Sequence, residues 1–394
     1  MKPEPYLKGH RYPLIVQIHG GPASAVRNTF PVSWAYYSHV FASHGYAVLQ
    51  PNYRGSIGRG AEFMKANVGH YFEKDIDDII TGIAAMVKRG IASPELVGVM
   101  GWSAGGHMTN WLITHPERFD EIGVTLQAAS SGAGVANWVS LYAQTDVQFT
   151  REHYLLAPPW KNLDHYMQKS PLVYVEKART PTLILFGEAD ERIPMPQGKE
   201  LYLGLKNNGV PTEFVLYPGE PHGLRKPKHQ LDKMQREFGW FEKYIRGRGL
   251  WKEKNVLTPE DLVAMQRVSQ PQLSPDGKTV VYVLTETDRQ ENRRQSDLYR
   301  IPAMGGEPVR LTRHPKNDTA PKWSPDGRRI ALSVQPRRQH AGVRDESVHR
   351  RAGPADQNQA RGVVVCLVAG RGVSRANRAR FHHARRGAGS QTET

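Results

Sequence analysis

The sequence contains almost no cysteine, since Cys366 is the only one among 394 residues. A single cysteine cannot form a disulfide within a monomer or a cysteine cluster for zinc. This composition fits a reducing compartment, and we therefore expect a cytoplasmic location. We assign no metal site and no cofactor to the chain.

Long apolar runs are missing as well. The first thirteen residues, MKPEPYLKGHRYP, lack the apolar stretch of a signal peptide. No stretch elsewhere approaches the roughly 20 apolar residues that a membrane-spanning helix needs. We therefore expect no membrane partner.

Negative charge is scarce, and the formal net charge is +15. Such an excess suggests a nucleic-acid partner, but its distribution argues against one. Residues 336–394 contain twelve arginines, no lysine, four acidic residues and one aromatic residue that could stack on a base, Phe381. We expect no nucleic-acid partner and interpret this tail as disordered or as translated from a different reading frame.

The strongest signal that is present lies in residues 96–108, LVGVMGWSAGGHM. An apolar run leads into G-x-S-x-G and then into a helical pattern, which is typical of a nucleophile elbow. Side chains at Gly101 and Gly105 would collide with backbone in so sharp a turn. The pattern therefore predicts that Ser103 is a nucleophile, with the following helix N-terminus directing amide groups toward developing negative charge.

Apolar strand patterns alternate with helical patterns through the first 246 residues. This alternation predicts an α/β fold with a doubly wound, mostly parallel sheet covered on both faces. Residues 132–175 are irregular and are interpreted as an inserted cap or a region of loops and helices. The predicted strands are 12–18, 46–50, 97–100, 122–127, 182–186 and 213–217, and the predicted helices are 30–44, 74–89, 197–207 and 230–244, with one more directly after the elbow.

A serine hydroxyl needs a neighbouring base, and in α/β-hydrolases the chain order is serine, acid, histidine. Asp190 follows the fifth predicted strand, and His222 follows the last one. We predict that His222 takes the proton of Ser103 and that Asp190 orients the imidazole. Glu188 and Glu191 flank Asp190 and remain alternatives for the acid on sequence grounds.

The other histidines fit the role of base less well. His107 lies four residues after Ser103 on the same predicted helix, so we expect it to be packed. His44, His115 and His229 lie on or beside helices and are expected at the surface. His19 is interpreted as structural.

An oxyanion needs two preorganised donors. The Ala104 N–H directly follows the nucleophile, and HGGP at residues 19–22 follows the first strand. We assign the second donor to the Gly21 N–H, although a plain tight turn is the alternative for HGGP.

The pattern changes after Gly247, and from Leu257 the sequence shows short alternating β segments. The hexapeptide LSPDGK at 273–278 recurs as WSPDGR at 323–328, and predicted strands 280–284 and 330–334 follow the two copies. A repeat near 50 residues built on such a turn is typical of β-propeller blades. Two copies cannot close a ring of four or more blades.

Taken together, these motifs resemble the catalytic domain of the prolyl oligopeptidase family of serine peptidases, in its acylaminoacyl-peptidase-like branch, over residues 6–246. The resemblance implies a triad of Ser103, Asp190 and His222 with Gly21 and Ala104 as oxyanion donors. Arg192 matches a position that is often arginine in this family, and we assign it no role. The matching segments are HGGP (19–22), PNYRGS (51–56), GWSAGGHM (101–108), SPLVYVEKARTPTLILFGEADERIP (170–194) and YPGEPHG (217–223).

This resemblance gives an expected organisation in three parts. Residues 1–249 form an α/β-hydrolase catalytic domain whose first edge strands are missing, residues 250–335 form a partial β-propeller-like segment, and residues 336–394 form the Arg-rich tail. In the family the propeller precedes the hydrolase, whereas here propeller-like sequence follows it. The chain thus resembles the end of one gene product joined to the start of another.

The resemblance implies a serine peptidase that cleaves short peptides or acylated amino acids through an acyl-enzyme. The alternatives are a carboxylesterase acting on small esters and a non-catalytic binding protein that uses the propeller-like segment. The expected partner is a short peptide or ester substrate, and a homo-oligomer is left open. No substrate-binding residue is assigned.

Overall fold

The computed structural model describes residues 1–3, 6–30, 33–247, 256–313 and 316–334, and the backbone of 363–368. The chain divides into two compact units, Met1–Ala264 and Met265–Thr394. The domain boundary expected at 249/250 lies outside the described residues. So does the predicted tail at 336–394, apart from that short backbone segment.

The first unit is built on a sheet of six strands, all paired in parallel, in the order β2-β1-β3-β4-β5-β6. The sheet predicted from the alternating pattern is confirmed. Only the fourth strand is displaced, because predicted residues 122–125 lie in a turn and its approach. The strands are β1 (Tyr12–Ile18), β2 (Ala47–Leu49), β3 (Ala92–Trp102), β4 (Leu126–Gly132), β5 (Thr182–Gly187) and β6 (Thr212–Tyr217).

Helices follow the strands of this sheet, and the inserted region predicted at 132–175 contains three of them together with two 3-10 turns. The helix predicted at 30–44 was too long, because among the described residues of that range only 38–43 are helical. The helices are α1 (Ser38–Ser43), α2 (Ala61–Lys65), α3 (Lys74–Lys88), α4 (Ala104–Thr114), α5 (Glu117–Asp120), α6 (Trp138–Gln144), α7 (Gln148–Leu155), α8 (Leu163–Gln168), α9 (Pro196–Asn207), α10 (Pro227–Arg246) and α11 (Pro259–Ala264).

The core of the first unit lies between the sheet and these helices. Every residue of β1 is buried, as expected for a strand covered on both faces. On α3, four isoleucines at helical spacing are buried, and Met86 on the same face is half-buried. Removing this apolar surface from water is the main contribution that holds the helices on the sheet.

Parallel pairing places the carboxyl ends of all six strands at one edge of the sheet. His19 follows β1, Ser103 follows β3, Asp190 comes three residues after β5, and His222 comes five residues after β6. Residues far apart in the sequence therefore meet at this edge, where open α/β sheets bind their ligands.

The described part of the second unit is built of antiparallel sheets, which fits the predicted partial propeller. One sheet has the order β10-β9-β8-β7 and another the order β11-β12-β13. Residues Val281, Val283 and Leu298 of the first pack with Ile330 and Leu332 of the second. The strands are β7 (Arg267–Leu273), β8 (Thr279–Asp288), β9 (Arg293–Pro302), β10 (Val309–Arg310), β11 (Asp318–Trp323), β12 (Arg329–Val334) and β13 (Val363–Val368).

The two SPDG copies form the same turn. In the first copy the Asp276 carboxylate accepts from the Ser274 hydroxyl at 2.6 Å, and the Thr279 N–H donates to the Ser274 hydroxyl oxygen at 2.9 Å. In the second copy Asp326 and Ser324 make the equivalent bonds. The repeat in the sequence is therefore a repeated structural unit.

Within the described residues, none of the helices combines the length and the apolar character required to cross a lipid bilayer.

Candidate active site

Ser103 occupies the sharp turn between β3 and α4. Its φ and ψ angles are 59° and −124°, a region that non-glycine residues rarely adopt. A Cβ atom at Gly101 would lie 2.3 Å from the carbonyl carbon of Gly105, and one at Gly105 would lie 2.1 Å from the Ile18 oxygen. The two glycines therefore permit the turn, as the sequence predicted.

Ser103, His222 and Asp190 lie in one hydrogen-bonded row. The Ser103 Oγ is 2.9 Å from His222 Nε2, and His222 Nδ1 is 2.8 Å from Asp190 Oδ2. The Asp190 side chain is fully buried, whereas 28% of the His222 side chain is exposed. A substrate can thus reach the serine and the imidazole while the carboxylate is shielded from water.

Asp190 lies in the loop between β5 and α9, residues 188–195, which we call the acid loop. The contacts in this loop distinguish Asp190 from the two glutamates beside it. The second Asp190 oxygen, Oδ1, accepts hydrogen bonds from the backbone N–H groups of Arg192 and Ile193, both at 2.9 Å. Glu188 is exposed and accepts from the Gly219 N–H, and Glu191 is exposed as well. Of the three acidic residues that the sequence left open, the structure brings Asp190 to the imidazole.

Two side chains that the sequence analysis did not consider hold the His222 loop. The indole N–H of Trp102 donates to the His222 carbonyl at 2.7 Å. The buried Glu220 carboxylate accepts from the N–H groups of Arg225 and Lys226, at 2.8 and 2.9 Å. In the sequence, the only sign that these two residues could hold the loop of His222 was their position in the motifs GWSAGGHM (101–108) and YPGEPHG (217–223).

The loop after β1 lies directly against the elbow. A Cβ atom on Gly20 would come within 2.9 Å of the Trp102 carbonyl oxygen and 3.3 Å of the Ser103 Cβ. The Gly20 N–H donates to the Tyr36 hydroxyl at 2.6 Å. In the described part of the chain, no group accepts a hydrogen bond from the N–H of Gly21 or of Ala104. The described residues therefore leave both amides without an acceptor.

His107 and His19 are buried away from the Ser103 hydroxyl. His107 Nδ1 accepts from the Val135 N–H at 2.8 Å, and burial holds the pKa of its imidazole well below the ordinary value. His19 stacks on Tyr53 and lies 2.9 Å from the Ser56 hydroxyl, and burial lowers the pKa of His19 too. Both contacts are of the packing kind that the sequence predicted.

The expectation of a surface position for His44 and His115 was wrong. Both are buried, because His44 packs on Phe238 and His115 stacks on Trp111. The remaining histidine of that group, His229, is half-buried, and its Nδ1 lies 2.8 Å from the Glu220 carboxylate. None of the three contacts Ser103.

Arg192 lies in the acid loop, and its side chain is held by a residue of the inserted region. Its guanidinium donates to both carboxylate oxygens of Asp146, at 2.5 and 3.0 Å. This hydrogen bonding lowers the pKa of Asp146 and raises that of Arg192. The pair ties the inserted region to the loop that carries Asp190.

Comparison with known proteins identifies the family of the chain. Residues 32–248, more than half of the chain, match the sequence model of the prolyl oligopeptidase family. The uncharacterized peptidase YuxL of Bacillus subtilis is 34% identical over 239 residues, which cover 59% of this chain and 35% of that protein. The acylamino-acid-releasing enzyme of Arabidopsis thaliana is 32% identical over 243 residues, which cover 59% of this chain and 30% of the enzyme.

Solved structures give the same result. A puromycin-hydrolyzing peptidase of Mycobacterium tuberculosis matches with a TM-score of 0.55 and 27% identity, over 62% of this chain and 36% of that one. The acylaminoacyl peptidase of Pyrococcus horikoshii matches with a TM-score of 0.54 and 25% identity, over 66% and 41%. The chain spans about a third of the length of the curated relatives that it matches. The fold, the order of the motifs and the matched residues show that this chain belongs to the prolyl oligopeptidase family.

Proposed function

We propose that the chain is a serine peptidase that hydrolyses short peptides or acylated amino acids through an acyl-enzyme intermediate. The observation that carries the proposal is the hydrogen-bonded row from Ser103 Oγ through the His222 imidazole to Asp190. The names of the acylamino-acid-releasing and acylaminoacyl-peptidase relatives support this substrate class.

Each residue of the row has a defined part in the first half of the reaction. His222 Nε2 takes the proton of Ser103 as the serine oxygen attacks the substrate carbonyl carbon. Asp190 keeps the other imidazole proton on Nδ1 and stabilises the imidazolium that forms. His222 then gives its proton to the leaving amine, and the C–N bond breaks to leave an ester on Ser103.

The second half reverses these roles with water. His222 removes a proton from the attacking water, the acyl–oxygen bond breaks, and the proton returns to Ser103. In both halves the carbonyl oxygen becomes an oxyanion, to which the N–H groups of Gly21 and Ala104 donate in this proposal. Their fixed positions avoid reorganisation at the moment when the charge forms.

The test compares two substrates that need the same nucleophile. Acetyl-alanine p-nitroanilide reports amide cleavage, and acetyl-alanine p-nitrophenyl ester reports ester cleavage. We expect both to be turned over by the wild type and both rates to fall by several orders of magnitude in Ser103→Ala. Ser131→Ala, which removes a buried hydroxyl within β4, the strand next to β3, is the matched control.

The result separates the proposal from its alternatives. Ester cleavage without any amide cleavage, over a panel of acyl-amino-acid anilides, would replace the peptidase by a carboxylesterase. Turnover of neither substrate by folded protein would leave a non-catalytic binding protein. Circular dichroism of each variant shows whether a lost rate reflects lost folding.

A further inference from the structure

Arg151, on α7, is a cation buried inside the first unit. Only 7% of the residue is exposed. Its Nε is shielded from solvent and has no hydrogen-bond partner. Among the described residues no carboxylate forms an ion pair with its guanidinium. A buried charge without a partner is costly, and such a group is kept where a ligand supplies the missing charge.

The groups around Arg151 do not neutralise it. Its guanidinium lies 5.5 Å from the centre of the Trp138 ring. Tyr71 and Tyr154 are also close enough for their hydroxyls to sense its charge, but burial raises the pKa of both, so they are uncharged at neutral pH. These neighbours offer an aromatic wall and no negative charge.

Two carboxylates in this region are already engaged. Asp146 is in the neighbourhood of Arg151, but both of its oxygens accept from Arg192. Glu152, the next residue along α7, accepts from the Tyr142 hydroxyl. An arginine guanidinium matches a carboxylate in shape and can bind one through two parallel hydrogen bonds. Neither of these two carboxylates is therefore free to bind the guanidinium of Arg151.

Contacts on two sides connect Arg151 with the candidate active site. On one side the residues that precede α7 bind the acid loop, since the Thr145 hydroxyl donates to the Arg192 carbonyl at 2.7 Å and the Asp146 N–H donates to the Glu191 carbonyl at 3.0 Å. This attachment places the start of α7 beside the loop of Asp190.

On the other side the Trp138 ring meets the nucleophile helix. It contacts the ring of His107 edge to face at 5.4 Å, and the His107 N–H donates to the Ser103 carbonyl at 2.9 Å. The charges of Arg151 and His222 both contribute to the low pKa of His107, after its burial. Arg151 is thus linked through the Trp138 ring to His107, in the first turn after Ser103.

We propose that Arg151 is the binding residue of an anionic subsite beside Ser103, which takes a carboxylate carried by the substrate. This inference rests on the proposed peptidase function and adds a substrate class to it. The carboxylate has two sources to distinguish, an aspartate or glutamate side chain on the acyl side of the scissile bond and the free carboxyl group of a leaving group that is a single amino acid.

The first arm of the test compares substrates that differ only in this charge. Acetyl-glutamate p-nitroanilide is set against acetyl-glutamine p-nitroanilide, and the ratio of their kcat/KM values is measured. If the acyl side carries the carboxylate, the wild type should prefer glutamate roughly 10- to 100-fold, the range expected for a charged hydrogen bond. The second arm compares acetyl-Ala-Ala with its C-terminal amide, and a similar preference there assigns the carboxylate to the leaving group.

Variants show whether Arg151 causes the preference. Arg151→Met removes the charge and keeps a long apolar side chain, so the ratio should fall to about one. Arg179→Met removes an exposed arginine paired with Asp120, near the start of β5 and hence at the opposite edge of the sheet, and should leave the ratio unchanged. Arg151→Lys keeps the charge without the planar fork and should give an intermediate ratio.

Failure of this inference is distinguishable from failure of the peptidase proposal. If no anilide is cleaved, the peptidase proposal fails and this one falls with it. If neutral anilides are cleaved but both wild-type ratios are near one, Arg151 is only a structural partner of Trp138 and the subsite is refuted. A charge preference that survives in folded Arg151→Met refutes it as well. Wild-type ratios near one refute the subsite whether or not a variant folds, and Arg151→Lys, which keeps the buried charge, tests the cause of a preference if Arg151→Met does not fold.

Discussion

The two carboxylate oxygens of Asp190 have different partners. Oδ1 is held by the backbone N–H groups of Arg192 and Ile193, while Oδ2 faces His222 Nδ1. The backbone donors fix which oxygen is available to the imidazole. The carboxylate can therefore select one imidazole tautomer without moving.

The Asp190→Asn variant tests this division. The asparagine oxygen should keep the two backbone donors, which leaves its NH2 group facing His222 Nδ1. The imidazole must then accept at Nδ1 and carry its proton on Nε2, where it cannot receive the Ser103 proton. We expect kcat/KM for an anilide to fall by roughly 10⁴-fold.

Glu191→Gln is the control for Asp190→Asn, because it alters an exposed acidic residue in the same loop. Its kcat/KM should stay within about twofold of the wild type. Equal losses in the two variants, or a small loss in folded Asp190→Asn, would show that Asp190 does not set the tautomer.

At the scale of elements, the elbow depends on how closely β3, α4 and β1 approach. Gly105 lies in the first turn of α4, and a Cβ atom there would overlap the Ile18 carbonyl oxygen at 2.1 Å. Backbone on both sides of this contact leaves no flexible side chain that could yield. The close approach of helix and strand is what places Ser103 at the sheet edge.

We therefore expect Gly105→Ala to lower the free energy of unfolding by at least about 3 kcal/mol, or to prevent folding. Urea unfolding followed by circular dichroism measures the change. Gly82→Ala on α3 is the matched control, since its nearest neighbour is the end of the Leu49 side chain at 3.3 Å. There the gain in helix propensity of about 1 kcal/mol should offset the contact. A tolerated Gly105→Ala would contradict the packing described for the elbow.

Asp75, on α3, gives the first unit a dependence on pH. Burial raises the pKa of its carboxyl to about 7, although the N–H groups of Ile76 and Phe72 donate to it and act in the opposite direction. The unfolded chain loses this proton near pH 4. Between about pH 4 and 7 the folded state binds a proton that the unfolded state lacks, so this contribution to stability falls as pH rises.

Comparison of the wild type with Asp75→Asn isolates this contribution. The advantage of the wild type in unfolding free energy should shrink by about 2 kcal/mol from pH 5 to 7 and change little above that range. Urea unfolding at each pH provides the values, and Asp164→Asn, which alters an exposed carboxylate on α8, serves as the control. An advantage that does not change between pH 5 and 7 would mean that Asp75 is ionised throughout this range in the folded protein.

Sequence patterns predicted well those helices and strands whose formation depends on their own residues. The strand over 12–18 coincides with β1, since seven consecutive buried residues leave a continuous apolar pattern. β4 was misplaced because its sequence, LQAASSG, has little strand character and is held by pairing with β3 and β5 on either side. The burial of His44 and His115 arises from aromatic neighbours on the same or distant helices, which no local pattern indicates.

In the candidate site too, residues marked by a local motif could be predicted, and residues defined by distant contacts could not. Ser103, Asp190 and His222 could be selected because each belongs to a short motif after a strand, in the chain order typical of the fold. Trp102, Glu220 and Arg151 could not, because their significance lies in contacts with residues that are remote in the sequence or that lie across a turn. The indole of Trp102, for instance, binds a carbonyl 120 positions away.

For the whole molecule, the parallel sheet of the first unit explains why a site can form at all. Ser103 and His222 are 119 residues apart, and Asp190 is 32 residues from His222, yet all three follow strands that end at the same edge. The second unit adds antiparallel sheets with a repeated SPDG turn and contributes none of these residues. The central claim for the molecule is therefore that its first unit carries a serine activated by a remote histidine.

Covalent labelling by a fluorophosphonate tests this claim most directly, because the reagent reacts with an activated serine and needs no knowledge of the substrate. Intact mass followed by peptide mapping should show one adduct per chain, on Ser103. The adduct should be absent from Ser103→Ala and should form far more slowly in His222→Ala. Folded wild-type protein that takes up no label, or that takes it up on a different serine, would contradict the account.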